Sequence, residues 1–381
     1  MVQGNKMKKI LFYYPSNKQS NALETLILEL AKRGYEIILL TTCEKGDFHI
    51  SLESNGIKYF TNYLPNQKGI VYYFKQIAFL ITFCKKNHID IVCSHLQHVN
   101  FISVLAQFFS RSRFIIFRHH FKFNVFSNDT RLEANKTEVL FDKVINALAK
   151  EIIVPSNGVF SGMLNFEKVS KSKLQIIPYV YNFDNYQKPN MLKVAEIRSN
   201  YSCDLLLLMC SRLILFKRHY IVFPVIKILV NHGLNIKLIV LDEGPEKENL
   251  QRYIIENSLQ NNIFLLGYKT DFINYMASCD LMIHPSLTEA SSSAVKEMGL
   301  LNKAVAVCSK VGDFDDYIEN YKNGFLLPPI DTEIFLEKLI RELYFNRNLL
   351  SGIGEKLNKT VMNRYNKSEE ILSLYDNLFS K

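Results

Sequence analysis

Two consecutive series of short, β-rich apolar runs alternate with segments of helical period. A chain with that alternation has few options: its strands form parallel sheets and its helices cover them. In the first series KKILFYY, EIILLTT, IDIVCS, FIIF, EIIVPS and LQIIP read as strands, with Ile57 to Phe60 as a short apolar run between two of them. Helical spacing marks ALETLILELAKRG, stopped by Gly34, then YYFKQIAFLITFCKK, Val99 to Phe109, Leu140 to Leu148 and a short segment around Ser161. The second series has LLLLMCS, IKLIVLD, NIFLLG, DLMIHPS and AVAVCS as strands. Its helices are IVFPVIKILVNHG, Glu246 to Asn257, DFINYMASC and Ser292 to Gly299. A turn-rich stretch to FLLPP and two helices, Thr332 to Phe345 and Ser368 to Phe379, close the chain. The polar passage from Asn182 to Asn200, with Pro189 inside it, reads as the linker. The expected architecture is α/β: two Rossmann-like doubly wound domains, residues 1–187 and 188–365, facing a central cleft, with a last helix at 366–381 packed back on the first. Ligands are expected at the carboxyl ends of both sets of strands.

Charge separates the two halves. Residues 1–200 hold 26 basic and 15 acidic side chains, a balance of +11, whereas residues 201–381 hold 20 and 22, a balance of −2. The basic half expects an anionic partner, and nucleic acid, a membrane face and an anionic substrate all qualify on charge alone. No helix-turn-helix, zinc or aromatic RNA-binding pattern accompanies the charge, so nucleic acid is set aside. The seven cysteines form no C-x-x-C pair and suit buried thiols in a reducing cytoplasm. No apolar run approaches the ~20 residues needed to span a bilayer, and the N-terminal run ends at Pro15, so the expected location is cytoplasmic, free or peripheral on the inner membrane face.

Neither half carries a dinucleotide fingerprint or a P-loop. The informative stretch is HPSLTEASSSAVKEMGLLNKAVAV, where Glu289 follows a strand and Glu297 lies inside the next helix. That helix begins among Ser291, Ser292 and Ser293, whose amides and positive dipole end favour a phosphate. Taken alone, the two glutamates favour the plainer reading, Glu289 as a helix cap neighbour and Glu297 as part of a solvated helix face, because charged residues are mostly surface. SRLILFK adds Arg212 and Lys217 on the loop after the first strand of the same half, a pair suited to clamping a diphosphate or simply to a solvated basic loop. LDEGPEKENL adds the Gly244–Pro245 turn, and VGDFDDYIENYKNGFLLPP adds Gly312 and Asn323–Gly324.

In that order, SRLILFK, DEGP, FLLG, SCD, HPS, the Glu289 to Glu297 element, KAV and NGFL resemble the retaining, group 1 glycosyltransferases of the GT-B fold, family 4, over residues 205–330. The resemblance implies a nucleotide-sugar donor on the C-terminal domain, with Arg212, Lys217 and the Ser291–Ser293 amides on the diphosphate. It places Glu297 on the ribose and Glu289 on the transferred sugar, and it implies transfer with retention, no cofactor and no required metal. Where the family has glycines after the first glutamate, this chain has Ala290, Ser291, Ser292 and Ser293. Ser20 and Asn21 stand where the family carries a glycine pair that approaches acceptor and donor phosphate. The family's strand-end histidine corresponds to His119 or its neighbour His120 in FRHH, read either as a group on a sugar hydroxyl or as a structural histidine.

The function expected from the resemblance is sugar transfer to a glycan or lipid-linked acceptor in cell-surface polysaccharide or glycolipid synthesis. The alternatives are an epimerase of the same build, which would need acid and base carboxylates in the cleft, and a non-catalytic GT-B subunit supporting a partner enzyme. With the donor assigned to the −2 half, the excess cations, among them Lys75, Lys85, Lys86, Arg111, Arg113, Arg118 and Lys122, point to an anionic acceptor or an anionic membrane surface. The oligomeric state is open.

Overall fold

The computed structural model describes residues 8–18, 20–119, 136–184 and 186–381. They divide into two compact units: the described residues up to Phe183 together with Tyr365–Lys381, and those of Asp184–Arg364.

The N-terminal unit runs β1 Lys9–Tyr14, α1 Asn21–Lys32, β2 Glu36–Thr41, α2 Asp47–Ser54, β3 Lys58–Thr61, α3 Gly69–Asn87, β4 Ile91–His95 and α4 Gln97–Ala106. It continues with β5 Arg113–Phe117, α5 Lys136–Leu148, β6 Ile152–Val154, α6 Asn157–Asn165 and β7 Leu174–Ile176. The seven strands are all parallel, in the order β3-β2-β1-β4-β5-β6-β7. Residues Ile10–Tyr13 of β1 are fully buried, because helices cover both faces of a parallel sheet and leave no polar side to alternate with.

The C-terminal unit begins with α7 Met191–Asn200 and runs through β8 Leu205–Cys210, α8 His219–Asn231, β9 Ile236–Leu241, α9 Lys247–Glu256, β10 Ile263–Gly267, α10 Phe272–Ser278 and β11 Leu281–His284. It ends with α11 Ser293–Leu300, β12 Ala304–Cys308, α12 Phe314–Tyr317, β13 Phe325–Leu327, α13 Thr332–Phe345 and α14 Asn348–Tyr365. Its six parallel strands lie in the order β10-β9-β8-β11-β12-β13. The chain then returns to the N-terminal unit as α15 Glu369–Ser380. Arg33 bonds Asp376 at 2.6 Å, Arg113 bonds the carbonyl of Leu378 at 2.7 Å and Lys8 bonds that of Phe379 at 2.6 Å.

Several elements differ from the sequence expectation. The second half of the expected linker is α7, whose side chains are too polar to show a stripe. It is fixed instead by a cap, the Asn190 carboxamide accepting from the amides of Leu192 and Lys193. Helices α2 and α14 and strand β13 are further elements that the apolar pattern did not mark. In α3 the expected buried stripe is broken near its start. Gln76 is fully buried, bonded to Asn62 and the Tyr13 hydroxyl, while Ile70, Val71 and Phe74 face outward at 71%, 49% and 64% exposure.

Two of the cations assigned to an outside partner are instead engaged within the unit. Arg113 pairs with Glu151. Buried Arg118 bonds Asn146 and both oxygens of Glu167. Lys122 lies outside the described residues.

Candidate active site

Strand order reverses between β8 and β11 in the C-terminal sheet, and ligands of doubly wound sheets bind beyond the carboxyl ends of the strands at such a point. The loops leaving these two strands carry the residues that matter here.

Glu289, on the loop after β11, accepts bonds from two groups. One is the ammonium of Lys217, on the loop after β8. The other is His284 Nε2, at 2.6 Å, from the last residue of β11 itself. Burial alone would raise the Glu289 pKa, but the Lys217 charge and His284 together hold it well below the usual carboxylate range. The structure thus brings together Lys217 and Glu289, and adds His284, the histidine of HPS, to which the sequence pattern assigns no role.

Two glycines allow close backbone approach in the loops at this end of the sheet. Gly312, at φ +56°, sits where a Cβ would lie 2.8 Å from that of Glu289. Gly244 packs on the backbone of Leu213, its hypothetical Cβ only 2.4 Å from the Leu213 carbonyl oxygen. The loops after β8 and β9 are therefore laid directly on each other, with the Leu213 amide bonded to the Glu243 carbonyl and Pro245 exposed at the turn.

Glu297 is 9% exposed, one turn into α11, and shares a hydrogen bond with Tyr186. Burial pushes its pKa up to about 7 against the pull of Tyr186 and Lys296. The three serines have separate surroundings. The Ser291 hydroxyl bonds Asp313 at 2.6 Å and accepts from Lys296 at 2.7 Å, Ser292 is the N-cap residue and Ser293 opens the helix on its exposed side. Lys296 is itself fully buried, 2.8 Å from Asp313 and 4.9 Å above the Tyr317 ring, so this pair anchors the start of α11 to the loop that carries Gly312.

Arg212 is not drawn into the cluster. It is exposed, and no hydrogen bond or ion pair among the described residues engages its guanidinium. The buried arginine of this loop is Arg218, which bonds Thr332 Oγ1 at 2.9 Å and the Pro329 carbonyl at 3.3 Å.

In the N-terminal unit His119 follows β5, its Nε2 3.3 Å from His95 Nδ1 and its Nδ1 against the Tyr179 hydroxyl. His120 lies outside the described residues. Ser20 is the N-cap position of α1 without a side-chain cap bond, and Asn21 accepts from the Asn182 amide at 3.4 Å. Among the described residues no three His, Cys, Asp or Glu side chains form a group that could hold a metal ion, and no helix is long and apolar enough to cross a membrane.

Comparison with known proteins follows the same division. Residues 195–359 match the family described as Glycosyl transferases group 1, and residues 19–184 match Glycosyltransferase Family 4. HepE of Anabaena, solved with UDP and glucose, superposes with a TM-score of 0.77 over 99% of this chain and 100% of its own, at 19% identity. A Staphylococcus aureus poly(ribitol-phosphate) alpha-N-acetylglucosaminyltransferase is 26% identical over 192 residues, 50% of this chain and 38% of that protein. The Campylobacter jejuni N-acetylgalactosamine-N,N'-diacetylbacillosaminyl-diphospho-undecaprenol 4-alpha-N-acetylgalactosaminyltransferase is 22% identical over 242 residues, 59% of each chain. The matched stretches thus cover less than two thirds of these two relatives. With both units matched and the strand-order reversal carrying the Lys217–Glu289 pair, the chain belongs to the group 1 glycosyltransferases of GT-B fold.

Proposed function

We propose that the protein is a retaining transferase that moves a sugar from a nucleotide-sugar donor to an anionic glycan or lipid-linked acceptor in cell-surface polymer synthesis. The observation that carries this reading is the Glu289 carboxylate, kept charged between Lys217 and His284 at the switch point of the C-terminal sheet. A charged carboxylate there accepts hydrogen bonds from the hydroxyls of the transferred sugar. Lys217 and the amides opening α11 offer positive charge to a leaving diphosphate, the role a divalent ion has elsewhere, and the transfer is accordingly metal-independent. Glu297 takes the ribose and exposed Arg212 folds onto the diphosphate.

Two relatives support the acceptor class by their names, one a poly(ribitol-phosphate), the other a diphospho-undecaprenol. The exposed start of α3, where Ile70, Val71 and Phe74 stand beside exposed Lys68 and Lys75, supports peripheral attachment to an anionic membrane face, which we take to be the cytoplasmic one.

A thermal-shift panel of UDP-, GDP- and ADP-sugars tests the donor. A specific donor at ~100 times its dissociation constant stabilises the protein by ~2.7 kcal/mol. Anomeric configuration of the product, read by NMR in the presence of a chelator, tests retention and metal independence together. Silence towards every donor would favour a non-catalytic subunit.

A further inference from the structure

Three side chains meet at the carboxyl edge of the N-terminal sheet: His95 at the end of β4, His119 two residues beyond β5 and Tyr179 three residues beyond β7. The His95 ring lies between Phe117, stacked at 4.2 Å, and Phe12, at 5.8 Å, and is 4% exposed. Its Nδ1 faces His119 Nε2, whereas its Nε2 is buried with no hydrogen-bond partner among the described residues. Burial, with His119 beside it, holds the His95 pKa well below that of an ordinary histidine, so the ring is neutral and carries one proton.

That proton has one favourable position. A neutral imidazole offers one N–H and one lone pair, and orphaned buried N–H groups are rarer than bare buried acceptors. Protonation at Nε2 would bury an N–H with no acceptor. Protonation at Nδ1 leaves only a lone pair bare and supplies a donor to His119 Nε2. His119 then holds its own proton on Nδ1 and donates it to the Tyr179 oxygen. The tyrosine hydrogen is in turn directed to some group other than His119.

We infer that His95 is a positioning residue that locks His119 as its Nδ1–H tautomer, so that His119 acts on the acceptor through the Tyr179 hydroxyl rather than through its own Nε2. The role of His119 towards the acceptor rests on the proposed transfer function; the tautomer does not.

The test is therefore made in two parts. Long-range ¹⁵N NMR of the donor-free, full-length protein at neutral pH is expected to show both His95 and His119 protonated on Nδ1. Protonation of His95 on Nε2, or a doubly protonated ring, overturns the proposal. His95→Asn, which keeps a donor near the Nδ1 position, is expected to keep the His119 tautomer and turnover within about threefold. His95→Leu is expected to give a mixed His119 tautomer. Tyr179→Phe and His95→Leu are expected to lower kcat at least tenfold with the donor KM unchanged. An unchanged His119 spectrum in His95→Leu overturns the positioning role. Failure of the transfer reading would show instead as correct tautomers in a protein that turns over no donor.

Discussion

Gly312 lies back to back with Glu289: its missing Cβ would stand 2.8 Å from the Cβ of the glutamate and 3.2 Å from the next carbonyl oxygen. At φ +56° the position also belongs to the region that side chains rarely adopt. Gly312→Ala must therefore push the Glu289 loop away from Lys217 and His284. An ångström of misplacement at a reacting centre costs about 10²-fold. Turnover should fall by about that factor, with a modest drop in thermal midpoint, and wild-type kinetics for this variant would show that the Glu289 position is not critical.

Lys217 and Glu289 are expected to behave as one unit. Removing an electrostatic stabiliser of the leaving group costs about 10²–10³ in kcat. Lys217→Ala, Glu289→Ala and the double variant should each fall to the same low rate, because either single change dismantles the pair. Near-wild-type transfer by both single variants would remove the site assignment.

How far the sequence carried this site follows from the reach of each signal. Lys217, Glu289 and Glu297 stand in short motifs with local spacing, and the strand-order reversal then brings their loops together. His284 was hidden because a histidine ending a buried strand has the same spacing whether it packs or bonds. His95 and Tyr179 were not legible: they meet His119 across three strand ends, and no local period records that. Helix α7 escaped for the opposite reason, since its specification lies in the Asn190 cap rather than in an apolar stripe.

The two arginines of the β8–α8 loop should separate cleanly. Arg218 is 7% exposed, and its bonds to Pro329 and Thr332 tie the start of α8 to the loop after β13 and to the start of α13. Arg218→Ala should destabilise by about 2 kcal/mol, as expected for lost hydrogen bonds to a charged group. Arg212→Ala should leave the thermal midpoint unchanged but weaken the stabilisation given by a nucleotide diphosphate. Equal midpoints for the two variants would contradict the division.

The two site glutamates should leave opposite marks on stability against pH. The Glu297 pKa is raised from 4.5 to about 7 by burial. Between those values the unfolded chain releases the proton and the folded chain keeps it, so Glu297 favours folding below about pH 4.5 and loses that contribution as pH rises towards 7. A shift of that size corresponds to about 3 kcal/mol. The Glu289 pKa is depressed, so its contribution is present above 4.5 and is lost as pH falls below it. Glu297→Gln should accordingly gain midpoint over the parent from pH 4.5 to 7, whereas Glu289→Gln should close its deficit only in acid. Parallel pH curves for the parent and Glu297→Gln would mean that the carboxyl is not held protonated by burial.

Membrane attachment is expected to depend on the first turns of α3. Ile70, Val71 and Phe74 offer apolar area for insertion, with Lys68 and Lys75 beside them for anionic headgroups. A triple change to serine removes the apolar part without touching buried Gln76 or the core face at Leu80, Phe83 and Cys84. Co-sedimentation with vesicles containing phosphatidylglycerol at low salt should fall at least tenfold for this variant, while its thermal midpoint and its transfer to a soluble acceptor stay at the parent level. Binding of the parent to neutral vesicles as strong as to anionic ones would remove the electrostatic half of this account. Undiminished binding by the triple variant would move the contact to another face of the basic unit.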